Sequence, residues 1–164
     1  MPDMICSLVA LPPLGDLLKS LRAEGITIRR PHPWDRPALD AFIREHFQHG
    51  WADEAAVCFA HQPITCYIAL TAEKRIVGFA AYEATRRNYF GPTGVDPELR
   101  GKGIGAALGI AALRGLRDLG YAYAIIGGAG PEGFYNKLVG AVPVPFENRM
   151  GIYDLDQEPG LEDC

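Results

Sequence analysis

From Ile104 onward, apolar residues return at Leu108, Ala112, Leu116 and Leu119, while Arg114, Arg117 and Asp118 fall off that line. A step of three or four residues is the period of an α-helix that buries one face, and Gly120 suits the position that ends it. Leu39, Phe42, Ile43 and Phe47 share that period behind the start signals Asp35 and Pro37, which predicts a helix over residues 35–47. A second short helix is expected over residues 53–60. Then the pattern shortens. Residues 64–71, 76–84 and 88–95 read as three strands, the first two joined by the polar Ala72-Glu73-Lys74-Arg75 turn. Gly91, Pro92 and Gly94 mark a bulge or break in the third. Residues 121–126 are apolar almost throughout, as in a strand covered on both faces. Residues 131–139, with Pro131 near the first turn, read as a last helix. Weak strands are expected over 142–146 and 149–155, ahead of an acidic tail. At the other end, a strand over 26–30 is stopped by Pro31 and Pro33. Residues 1–24 read as an extension: a short extended piece, then a helical turn or two over 14–21.

The resulting order is βαα-βββ-αβ-αβ(β), with an antiparallel front half and one crossover through the long helix. It implies an α+β fold of the three-layer α/β type, with a mixed, mostly antiparallel central sheet and helices on both faces. At 164 residues, 48% apolar and 22% charged, the chain has the composition of one globular domain. A formal net charge of −4 gives no electrostatic footprint for nucleic acid, and no apolar stretch is long enough to span a bilayer. The N-terminus lacks a basic region, its first Lys being Lys19, and Pro12-Pro13 interrupts its apolar run, so a signal peptide is not expected. Cys6, Cys58, Cys66 and Cys164 lack paired spacing and are read as reduced thiols in a cytoplasmic protein.

The chemistry concentrates between Val95 and Ala106, where a strand runs into the long helix. Gly101, Gly103 and Gly105 alternate there, flanked by Arg100 and Lys102. The first N–H groups of a helix have no partner within it, and the helix dipole adds positive charge at that end. Without Cβ atoms, those amides can meet a phosphate closely, so residues 100–106 read as a pyrophosphate cradle. Gly101-Lys102-Gly103-Ile104-Gly105-Ala106 also satisfies the dinucleotide-binding pattern of glycines. However, Asp96 to Arg100 intervene after the strand, and the next strand ends in Ile125-Ile126-Gly127-Gly128 without the acidic residue that holds a ribose. No Gly-Lys-Ser/Thr occurs, which excludes a Walker A loop.

Arg100-x-x-Gly103-x-Gly105 resembles the acetyl-CoA signature of the GNAT superfamily of N-acetyltransferases. The element order from Ile26 to about Leu155 is similar too, as is the segment Phe134-Tyr135-Asn136-Lys137-Leu138-Val139-Gly140-Ala141. The resemblance implies a GNAT-like domain over residues 26–155, an extension over 1–25 packed on it, and a tail over 156–164. It implies a V-shaped splay between the strand carrying Val95 and the strand carrying Ile125, with acetyl-CoA in the gap. Gly94 and Val95 would then pair with pantetheine, the Val95 N–H facing the thioester oxygen. The amides of Arg100, Gly101, Lys102, Gly103, Ile104, Gly105 and Ala106 would hold the pyrophosphate. Tyr135 matches the family's general acid, and its rival role is that of a packed helix aromatic. The implied reaction is acetyl transfer to a primary amine by direct attack in a ternary complex. The alternative is a regulatory module that binds acyl-CoA without turnover.

Glu83, near the end of its strand, is the candidate general base, against the reading of a solvated strand-end carboxylate. The positions where some members carry a glutamate hold Asn88 and Tyr89, which leaves a water relay open. His46-x-x-His49 and Cys58-x-x-His61 have only superficial metal-ligand spacing, and no metal is expected. Trp34, Phe47, Trp51 and Phe59 are candidates to line an acceptor pocket or to fill the core. The partner implied is an amine-bearing small molecule or a peptide or protein amine, with no nucleic acid and no membrane; a homodimer is left open.

Overall fold

A computed structural model describes residues 1–145 and 151–157. The chain enters as β1 (Met4–Ser7), whose alternation turns Met4 and Cys6 inward and Ser7 out. Next come α1 (Gly15–Ala23) and β2 (Thr27–Arg29). A 3-10 turn over Pro33–Asp35 leads into α2 (Arg36–His46), followed by α3 (His49–Val57). Three successive strands are β3 (Cys66–Leu70), β4 (Ile76–Tyr82) and β5 (Tyr89–Val95). The long helix α4 (Ile104–Asp118) crosses to β6 (Tyr123–Ile126), and α5 (Glu132–Val139) leads to β7 (Val142–Pro143). A 3-10 helix over Ile152–Gln157 ends the described part.

The strands form one open sheet in the order β2-β3-β4-β5-β6-β1-β7. Every neighbouring pair is antiparallel except β5 with β6. A parallel pair needs a long crossover, and α4 supplies it. The sheet separates two apolar cores. On one face, Ile104, Leu108, Ala112 and Leu116 of α4 pack with Leu21, Val77, Phe90 and Tyr135. On the other, Leu39, Phe42 and Ile43 of α2 and Ala52 and Ala55 of α3 pack on Ile68, Phe79 and Ala81. Lying between both layers, β4 is buried along its whole length.

The stripe expected on α4 is buried as far as Leu116, but Leu119 is 51% exposed at the helix cap, followed by Gly120 at φ +103°. So much of α4 is buried, including the glycines and alanines from Ala107 onward, because helices α1 and α5 flank it as it lies on the sheet. Three local readings are corrected. The second helix starts at His49, not at residue 53, because Gln48 is already extended and the chain coils directly after it; residues 58–60 form a 3-10 turn. The strand expected over 142–146 contracts to Val142–Pro143, with residue 146 outside the described part. Over the described portion of 149–155, the chain is 3-10 helix from Ile152, with Asp154 accepting from the Gly151 N–H at 2.7 Å. Residues 4–7 of the N-terminal extension lie within the sheet, hydrogen-bonded on both sides, to β6 and to β7.

Candidate active site

The distinctive break in the sheet is between β5 and β6. Their parallel pairing covers only Tyr89 with Ile125 and Phe90 with Ile126, and its last bond runs from the Gly127 N–H to the Phe90 carbonyl at 3.2 Å. Beyond it β5 continues to Val95 alone on that side. Gly91 and Pro92 cause the parting. Both stand opposite the single residue Ala81 in the β4–β5 register, and Gly91 adopts φ +118°, a conformation open to glycine.

The free edge of β5 carries unused backbone groups. Asp96 donates its N–H to the Val77 carbonyl at 2.9 Å, and Gly94 stands opposite Phe79. Because bonded and non-bonded pairs alternate along an antiparallel ladder, Thr93 and Val95 direct their N–H and C=O groups away from β4, into the gap. The Val95 carbonyl accepts the Arg100 Nε–H at 3.3 Å. Its side chain faces α4, where a Cβ added to Gly105 would lie 3.6 Å from Val95 and 3.9 Å from Phe134. Gly94 faces the other way, with the Phe47 ring packed against its Cα so closely that no Cβ would fit. Phe47 belongs to an aromatic group with Phe42, Trp51 and Phe79.

At the entrance to α4 the chain turns through Gly101 at φ +82° and Gly103 at φ +90°, the latter capping the helix. Asp96 shapes the approach: buried, it accepts from the Glu98 N–H at 3.0 Å and from Arg75 at 3.2 Å. Nothing lies within 4 Å of where a Cβ on Gly101 would sit, and Gly105 meets only ordinary contacts, so the amides there are bare. Arg100, Gly101 and Lys102 are exposed, Gly103, Gly105 and Ala106 half-buried, and Ile104 buried in the core. Leu17 of α1 reaches Gly103, where a Cβ would lie 2.9 Å from its Cδ1. This turn, with backbone N–H groups, a cation on either side of Gly101 and side-chain cover only where Leu17 reaches Gly103, fits a diphosphate.

Tyr135 lies on α5 across the gap, 6% exposed, its ring edge-on to Phe90 and to Phe134. Burial alone pushes its phenol up to about 12, and its hydroxyl makes no hydrogen bond among the described residues. This leaves a protonated donor beside the opening.

The structure thus brings Gly94, Val95, the 100–106 turn and Tyr135 around one gap. Glu83 stands apart. It sits in the β4–β5 turn at φ +56°, its carboxylate accepting the Asn88 N–H and facing the Tyr121 hydroxyl beyond the far end of α4. Among the aromatics, Phe47 and Trp51 lie by the gap, whereas Trp34 is 75% exposed and stacks on His32. Phe134 and Leu17 also border the site; Phe134 lies inside the segment over residues 134–141 that resembles the family's, while Leu17 carries no sequence signal. Glu54 lies on α3. Its Oε2 accepts from Thr85, beyond the end of β4, and from the Tyr153 hydroxyl at 3.0 Å. The Tyr153 ring covers Gly128, beyond β6. Asp3 fastens this C-terminal piece, accepting from the Gly128 N–H at 2.8 Å, the Ile152 N–H at 3.0 Å and the Tyr89 hydroxyl at 3.2 Å.

Among the described residues no three His, Cys, Asp or Glu side chains gather as metal ligands, and no helix is long and apolar enough to cross a membrane.

The acetyltransferase (GNAT) family model matches residues 27–140. No curated protein matches the chain in sequence. Among solved structures, a GCN5-related glucosamine N-acetyltransferase region of a fungal multi-domain GH3 β-N-acetylglucosaminidase superposes with a TM-score of 0.70 at 17% identity. That match covers 87% of this chain and 19% of the fungal one. A GCN5-related N-acetyltransferase from Sphaerobacter thermophilus gives a TM-score of 0.64 at 21% identity, over 87% of this chain and 48% of the other. The chain therefore spans less than half the length of either. With a family match over well over half its length and a sheet parted beside a glycine-rich helix entrance, the chain belongs to the GNAT acetyltransferase family.

Proposed function

We propose that this chain transfers the acetyl group of acetyl-CoA to a primary amine by direct attack within a ternary complex. The observation that carries this reading is the free edge of β5 at the parting from β6. Backbone groups turned into a gap need a partner, and an extended, amide-bearing pantetheine arm along Gly94 and Val95 supplies one. The diphosphate then meets the amides of residues 100–106. The Val95 N–H receives the thioester oxygen, with the Thr93 N–H next along the same edge, and backbone donors of this kind stabilise the charge that develops there. Tyr135 supplies a proton to the departing thiolate. The step forms the carbon–nitrogen bond, breaks the carbon–sulfur bond and releases the free thiol.

The unpaired, protonated hydroxyl of Tyr135 favours turnover over the alternative of a module that only binds acyl-CoA. The test is thiol release from acetyl-CoA across amino acids, polyamines, peptide N-termini and aminosugars, the last because of the fungal neighbour's described activity. Calorimetry with acetyl-CoA, NAD and ATP accompanies it. Release with one amine class, together with binding of acetyl-CoA alone, supports the enzyme. Binding without release for any amine supports the module, and NAD binding without acetyl-CoA binding removes both.

A further inference from the structure

The acetyl-transfer reading leaves the acceptor's proton without a destination, since the Glu83 carboxylate is committed to its turn. We propose that Glu54 of α3 meets the acceptor's amino group and takes the proton it must lose.

The placement follows from the sheet order. Glu54 touches Thr85, past the end of β4, and Tyr153, whose ring rests on Gly128 past the end of β6. Between β4 and β6 lies β5, so a carboxylate reaching both sides stands over Tyr89 and Phe90, the paired start of β5 next to the point beyond which it parts from β6. Helix α3 packs against β5 on the Phe47 and Gly94 side. Tyr135 and Phe90 lie on the opposite, α4 side. The parting is therefore flanked by a carboxylate on one face and a phenol on the other. That separation suits the two proton transfers of the reaction, one from the incoming amine and one to the outgoing sulfur.

The carboxylate is also held for the purpose. Both described hydrogen bonds go to Oε2, leaving Oε1 without a partner among the described residues, and the side chain is only half-buried. Two hydroxyl donors fix its rotamer while leaving an acceptor for an ammonium group. In the balanced step, R–NH3⁺ gives one proton to Glu54, and the freed lone pair attacks the thioester carbon. Glu54 releases that proton to solvent; as the carbon–sulfur bond breaks the thiolate takes a proton from Tyr135, and the second proton, lost by the nitrogen of the tetrahedral adduct, restores the phenol. The ionisable groups around Glu54 are Tyr153, whose phenol burial pushes up with Glu54 adding to the shift, Asp3 and Tyr89 beyond it, Asp53 on its own helix, and Arg86 on the β4–β5 turn.

The test uses the full chain, acetyl-CoA and the best amine from the panel. Glu54→Gln keeps an oxygen for both hydroxyls. Its kcat/KM for the amine should fall about 10²-fold at neutral pH and recover as the pH rises and the amine deprotonates unaided, with acetyl-CoA affinity unchanged. Glu54→Asp retains the charge but retracts it, and should keep the wild-type pH profile at a reduced kcat. Both variants are checked for wild-type acetyl-CoA binding and thermal unfolding; should Glu54→Gln fail these, the Glu54→Asp profile decides, a changed shape overturning the proposal. Wild-type kcat/KM with an unaltered pH profile in Glu54→Gln overturns the role of Glu54 alone. Absence of acetyl transfer by the wild-type chain overturns the parent reading and this one together.

Discussion

The rings of Phe90 and Tyr135 stand edge to face, their centroids 5.9 Å apart and their planes at 75°. Phe90 is the last residue of β5 paired with β6, so this contact fixes the α5 phenol against the point where the sheet opens. Tyr135→Phe keeps the ring packing and removes only a hydroxyl that has no described partner. Its kcat should fall about 10²-fold while acetyl-CoA affinity stays near wild type, as steady-state kinetics and calorimetry will show. An unchanged kcat excludes Tyr135 as the acid.

The same residue governs an alkaline stability window. Its phenol is held at about 12 by burial against an ordinary 10.0. The folded state therefore favours the protonated form. The stability this contributes is complete below pH 10 and is lost as the pH climbs through 12. Urea unfolding across that window should show a steeper loss for wild type than for Tyr135→Phe.

Gly94 is small because Phe47 lies on it. Gly94→Ala should destabilise the chain by about 1–3 kcal/mol through overpacking. A Phe47→Leu partner substitution should recover part of that loss. Denaturant unfolding of the singles and the double measures the coupling, and strict additivity would show that the two residues do not meet.

Gly101→Ala and Gly103→Ala separate backbone strain from collision. Each places a Cβ at a left-handed φ, which costs about 1–2 kcal/mol, but only at Gly103 does the new atom meet Leu17. Both variants should weaken acetyl-CoA binding at least about tenfold by displacing the amides, an estimate of the same order as that strain. Adding Leu17→Ala should raise the melting temperature of Gly103→Ala and not that of Gly101→Ala. Wild-type affinity in both would contradict a phosphate-binding role for this turn.

The buried thiols should be inert in the folded protein. Burial pushes Cys6 up to about 11, and within the Cys58–Cys66 pair the hydrogen bond between the thiols pushes Cys66 up and draws Cys58 down, so Cys58 is protected by its complete burial alone. In a Cys164→Ser background, an aromatic disulfide reagent at pH 8 should label Cys6, Cys58 and Cys66 only at the rate of unfolding, and all three promptly in denaturant. Rapid labelling under native conditions would show that these cores open locally.

Local order was written plainly in the chain. The period of Ile104, Leu108, Ala112 and Leu116 carried the long helix, and the Gly101, Gly103 and Gly105 alternation marked its bare entrance, because both depend on neighbours a few residues away. Gly91 and Pro92 announced a break in their strand, but not that β6 would end its pairing beside them. That relation joins residues far apart along the chain, as does the lodging of Met4–Ser7 between β6 and β7. Nothing in residues 1–25 alone distinguishes a strand inside the sheet from an arm lying on it, since the hydrogen-bonding partners are supplied from residues 123–126 and 142–143. Glu83 and Glu54 show the limit most clearly. Each is one carboxylate in an ordinary local setting, and only folding decided that one would close a turn through Asn88 while the other would meet Thr85 and Tyr153 above the opening. Periodicity and backbone preference act over a few residues and can be read in order; which side chains converge on a site depends on how distant segments pack.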